Sequence, residues 1–211
     1  MDITREIAIK VRDTVAAGLV SGVGIAEPGK MCVEAAVCYA LGLPHGDDPG
    51  CVSPALRVLK IALNDAAWSS EAARAHGLRR LALAQLGSRG ALDDVVFAQR
   101  VAEMTIRRMV PIALRAAALF EAQPHASELE ASAVLCEQQG TAASAASAES
   151  AASAASAARA AWAASDESAE SAESAESDHV LMVFAEYVVE ILIDMGAPGC
   201  QWLDLVPVEA A

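Results

Sequence analysis

Apolar residues recur every fourth position at the start of the chain, at Ile3, Ile7, Val11, Val15 and Leu19, with charges between them. An α-helix turns once per about 3.6 residues, so this spacing lays the five side chains along one face. It predicts a first helix of about 17 residues that ends in the glycines between Gly18 and Gly29. Pro28-Gly29 marks a turn, and Met31 to Leu41 reads as a second helix stopped by Gly42 and Pro44. The run His45-Gly46-Asp47-Asp48-Pro49-Gly50 is dense in turn formers. Ser53-Pro54 then supplies an N-cap and a proline in the first helical position, opening a third helix to about Asn64.

Ser69-Ser70-Glu71 offers the next cap, before Leu78, Leu81, Leu83 and Leu86 and a stop near Gly87 to Gly90. Asp93 or Asp94 can cap the following helix, which carries Val96, Val101, Met104 and Met109. Pro111 lacks the N–H that a helix interior needs, so it is expected to kink or split that helix before Leu119. Late in the chain, Val180, Val183, Phe184, Tyr187, Val188, Ile191 and Leu192 share one broad face of a helix from His179 to Met195, which stops at Gly196-Ala197-Pro198-Gly199. Trp202, Leu203, Leu205 and Val206 are expected to fold back as a short cover.

Between these patterned regions the composition changes at Thr141. Serine recurs at 144, 147, 150, 153 and 156 and again at 165, 168, 171, 174 and 177, with alanine in most gaps. Alanine favours helix. A period of three falls short of the helical repeat by about 60° per step, so the serines spiral around the helix and make no single polar stripe. Ser165 to Asp178, with Glu167, Glu170, Glu173 and Glu176, is expected to be the most solvated part. These patterns predict an all-α multi-helix bundle with one long Ala/Ser-rich helix. The expected organisation is an N-terminal helical domain (1–122), an Ala/Ser/Glu-rich low-complexity helical segment (123–177), and a C-terminal amphipathic helix (178–211) packed on the N-terminal domain.

Charge sharpens this picture. Residues 1–121 hold 14 basic against 13 acidic residues, whereas residues 122–211 hold one basic residue, Arg159, against 15 acidic ones. A surface of that sign repels phosphate backbones and anionic lipid, so neither nucleic acid nor a membrane is the expected partner. The start Met1-Asp2-Ile3-Thr4-Arg5-Glu6 does not read as a signal peptide, and no segment has the uninterrupted bulky apolarity of a spanning helix, which makes the cytoplasm the expected location. Five cysteines in such a chain are expected to be reduced thiols.

Three patterns in the chain have the residue types of a chemical site. Gly24 to Lys30 has the G-x-x-x-x-G-K spacing of a phosphate-binding loop, but Met31 stands where a Ser or Thr hydroxyl would hold magnesium, and the preceding segment reads as helix rather than strand. The run Val188 to Asp194 imitates the matching apolar-then-aspartate element with a helical period. A glycine-rich turn is therefore expected there. Cys32 at a helix start, with His45 and Asp47 or Asp48 beyond its end, has the residue types of a nucleophile, a base and an orienting acid. A helix N-terminus lowers a thiol pKa. Against this, about 11 helical residues at about 1.5 Å each separate Cys32 from His45 by roughly 15 Å unless the loop doubles back. Cys32, Cys38, His45, Asp48 and Cys51 are also the weak candidates for a metal site, although their spacing matches no zinc finger or ribbon. No cofactor is expected.

The stretch Cys32-Val33-Glu34-Ala35-Ala36-Val37, then Gly42 to Val52 and Asn64-Asp65, resembles a core that recurs in uncharacterised alanine-rich bacterial proteins, over roughly residues 28 to 90. Alanine-rich segments like Ala142 to Ala164 are also similar to those of immunity proteins of bacterial toxin systems. The resemblance implies a bacterial helical protein and supplies no activity. The sequence thus leads to the expectation of a non-enzymatic helical interaction protein, immunity-like, that binds a protein partner or itself. The alternative is a small thiol enzyme or metal-binding protein using the Cys32–Cys51 region.

Overall fold

A computed structural model describes residues 2–119, 121, 123–162 and 170–208, with side chains for all of these except 154–162 and 170–176. Among the described residues the chain is helical and contains no strand longer than the isolated bridge between Gly24 and Met31. The helices are α1 (Arg5–Ala16), α2 (Val33–Leu41), α3 (Pro54–Asn64), α4 (Glu71–Ala84), α5 (Asp94–Met104), α6 (Val110–Ala118), α7 (His125–Gln139), α8 (Ala142–Trp162) and α9 (Glu170–Asp194). A 3₁₀ segment, Pro198–Leu205, follows α9. The all-α class is as the periodicity predicts. No helix among the described residues is long and apolar enough to cross a membrane.

The chain forms two compact units. One joins residues 1–98 to 171–211, and the other is residues 99–170. The first division therefore falls inside α5, rather than at residue 122, the boundary expected from the sequence. An unbroken helical pattern runs through residues 94–104 and carries no sign of which neighbours each turn will choose.

In the first unit, polar side chains fix the helix ends. Thr4, Ser53 and Ser70 accept the amides of Ile7, Leu56 and Ala73 and so cap α1, α3 and α4. Asp93, not Asp94, caps α5 by accepting the amides of Val95 and Val96, while Asp94 accepts the Ser53 hydroxyl. The core gathers Val11, Val15, Leu19, Val33, Val37, Leu56, Leu78, Leu81, Leu83, Val188 and Leu192, all buried. The C-terminal helix packs on the N-terminal helices. Asp178 accepts the Ser69 amide at 2.8 Å and the Ser69 hydroxyl. Glu186 pairs with Arg80 at 3.0 Å, and the same guanidinium donates to the Val206 carbonyl at 2.6 Å. That second bond holds the chain beyond the 3₁₀ segment against α4.

In the second unit, α6, α7 and α8 enclose Leu114, Leu129, Ala133, Cys136 and Ala148. Arg107 spans the C-terminal end of α7 and donates to the carbonyls of Glu137, Gln138 and Gln139 at 2.8 to 3.0 Å, satisfying acceptors that the helix itself leaves open. Pro111 neither splits nor ends the helix. Thr105–Met109 widens into a π-helical turn just before it, and α6 continues through it. A wider turn loosens the ladder where the proline ring needs room and the N–H is missing.

Thr141 and Ser144 cap α8 reciprocally, each hydroxyl accepting the other's amide. Ser144, Ala148 and Ala151 then form its buried or half-buried face, while Ser147, Ser150 and Ser153 are exposed. The three-residue repeat thus drifts off the contact face after one serine, as the mismatch with the helical turn requires. The expectation of solvation for Ser165 to Asp178 lies outside the described side chains as far as residue 176. At its end, Asp178 is engaged with Ser69.

Candidate functional site

Cys32 precedes α2 and caps it with sulfur, its Sγ accepting the Ala35 amide at 3.3 Å. The thiol is buried, and burial pushes its pKa up. The amide hydrogen bonds of the helix start and the nearby Lys60 pull in the opposite direction and do not overcome it. The helix N-terminus was the argument for a reactive thiol, and desolvation outweighs it. Burial also raises Cys38, to about 11, with the neighbouring Glu34 carboxyl adding to the shift. Cys51 is raised by burial as well. All three are free, buried cysteines, and burial favours the thiol over the thiolate in each.

The His45 loop folds back onto the Gly24 turn. His45 Nε2 lies 3.0 Å from the Gly24 carbonyl, and the neighbouring Val23 carbonyl accepts the Cys32 amide. Facing a carbonyl, that nitrogen is the donor, and the exposed ring is held by backbone rather than by a thiol. Asp47 and Asp48 are bound to arginines. Asp47 meets Arg57 at 2.6 Å, and Asp48 accepts from Arg89 at 3.0 Å and from the Gly50 amide at 3.1 Å. These pairs tie the loop to α3 and to the turn after α4. Cys32, His45 and Asp48 therefore do not form a hydrogen-bonded relay. Among the described residues no three His, Cys, Asp or Glu side chains group so as to hold a metal ion, which leaves Cys32, Cys38, His45, Asp48 and Cys51 without a common ligand position.

Gly24 to Lys30 is a closed turn. Ile25 N donates to the Lys30 carbonyl at 2.7 Å, Lys30 N donates to the Glu27 carbonyl at 2.9 Å, and the Lys30 ammonium pairs with Glu27. The amides of Ile25, Glu27 and Lys30 are thus turned onto the loop's own carbonyls and away from any phosphate. Gly24 has a φ of 69°, and a Cβ there would stand 2.1 Å from the Lys30 oxygen, so the glycine serves the turn.

Charge in the middle of these thiols was not anticipated. Glu34 and Lys60 are both 0% exposed and face each other at 3.1 Å. Apart from this contact, neither carboxyl oxygen nor the ammonium nitrogen has a hydrogen-bond partner. Burial raises the Glu34 pKa and lowers the Lys60 pKa, each opposed by the other's charge. A small cavity of about 60 Å³ lies beside Cys32, Asp47, Asn64 and Asp65. Glu34 also lines it, although the charged atoms of the pair are buried from solvent. The sequence carried a signal for this arrangement. Glu34 interrupts the apolar run Cys32 to Cys38, and Lys60 occupies the buried stripe of α3 with Leu56, Leu63 and Asn64.

Two surface features of the first unit stand apart from this closed centre. Val23, Ile25, Tyr39 and Leu43 are large apolar residues left 38 to 55% exposed. Val23 and Ile25 flank Gly24, whose carbonyl is bonded by His45 from the loop that follows Tyr39 and Leu43. A separate cleft of about 850 Å³ opens between the end of α1, the start of α4 and the Leu205–Pro207 segment. Comparison of the chain with protein-family models, curated proteins and solved structures gives no match.

Proposed function

We propose that this chain is a non-enzymatic helical interaction protein of the cytoplasm, immunity-like in the sense of the resemblance, and that it meets a protein partner through the face carrying Val23, Ile25, Tyr39 and Leu43. The observation that carries this reading is that four large apolar side chains are exposed on two segments, the Gly24 turn and the end of α2 with its following loop, which the His45–Gly24 bond joins. Scattered single exposures are ordinary, whereas several on segments joined by a specific hydrogen bond have the makings of a docking patch. The state of the thiols supports the same reading over a small thiol enzyme working from Cys32 to Cys51, since their burial favours the protonated form.

The test is a photo-crosslinking amino acid placed at Ile25, 55% exposed, in cells that make the protein, with a control at Val58, 66% exposed on α3. Position 25 is expected to give a discrete crosslinked protein band, to this chain or to another, that is lost when Leu43→Asp is added. The Val58 control is expected to give none. Equal crosslinking from both positions, or no band from Ile25, would remove the reading.

A further inference from the structure

We draw no further inference here: the strongest candidate, the small cavity between the Gly22–Val23 turn, the start of α2 and the end of α3, is an acidic cluster whose carboxylates are already held, Asp47 by Arg57, Asp65 by Ser21, Gly22 and Asn64, and Glu34 by Lys60, so nothing about it points to a ligand.

Discussion

Lys60→Met alone is expected to lower the unfolding free energy by about 3 to 5 kcal/mol, because it leaves the fully buried Glu34 carboxyl with no cation. Glu34→Gln alone is expected to cost a similar amount by stranding Lys60. The double variant Glu34→Leu with Lys60→Met should recover most of the loss, since removing both partners also removes both desolvation costs. Urea unfolding of the four proteins measures this directly. Two additive single losses would show that the charges do not act as a pair.

The pH dependence of the two single variants has opposite signs. Glu34 has its pKa raised by burial even with Lys60 present, and removing the cation raises it further. A group whose pKa is higher folded than unfolded binds more protons in the native state, so its contribution is present in acid and is lost as pH rises through the folded value. Lys60→Met is therefore expected to be less damaging near about pH 5 than near about pH 8. Lys60 has its pKa lowered by burial, and without Glu34 it falls further. Its native state binds fewer protons, so Glu34→Gln is expected to regain stability as pH rises.

Gly199→Ala should have the second large effect. A Cβ at this position would stand 2.3 Å from the Leu83 carbonyl oxygen, 2.6 Å from that of Ala84 and 2.7 Å from the Leu86 amide nitrogen. All three are backbone atoms at the end of α4 and cannot swing aside as a side chain would. The 3₁₀ segment must lift away instead, and it carries Asp204, which pairs with Arg5 at 2.6 Å, and the approach to Val206, which Arg80 holds. A loss of about 3 kcal/mol in urea unfolding is expected, the scale of an overpacked core position. Gly46→Ala is the control. A Cβ there meets nothing within 4 Å, and its change should stay within about 0.5 kcal/mol.

The helices were legible because their signals are local. The stripe Ile7, Val11 and Val15, the cap at Ser53 before Pro54, and the stop after α9 all act within a turn or two of chain, and each appears where the periodicity puts it. Harder to read were effects that depend on tertiary neighbours. Cys32 caps α2 with sulfur, a role that Ser, Thr, Asp or Asn usually fills, so α2 was expected to begin at Met31. Pro111 sits inside a helix because a π-helical turn accommodates it, and nothing in its own sequence neighbourhood marks that turn.

The candidate site was legible as a region and not as a mechanism. The concentration of Cys, His and Asp between residues 32 and 51 does mark a specific structure. Its chemistry is that of loop anchors, Asp47 with Arg57, Asp48 with Arg89 and His45 with Gly24, around a buried Glu34–Lys60 pair. Arg57 and Arg89 lie on later elements, and only the folded chain shows that each finds an acid in the 47–48 turn. The opposite charges on two buried helix stripes were visible in sequence, but their pairing was not.

Thiol labelling of the native protein across pH tests most directly whether the Cys32–Cys51 centre is closed structure rather than a reactive site. Cys32, Cys38 and Cys51 are expected to label no faster than the chain opens, with Cys38 showing no thiolate until well above pH 9, in keeping with a pKa near about 11. Half-buried Cys200, raised to about 11, is expected to react slowly but without global unfolding. Rapid native-state labelling at Cys32 with an apparent pKa below the free-thiol value of about 8.5 would contradict the account.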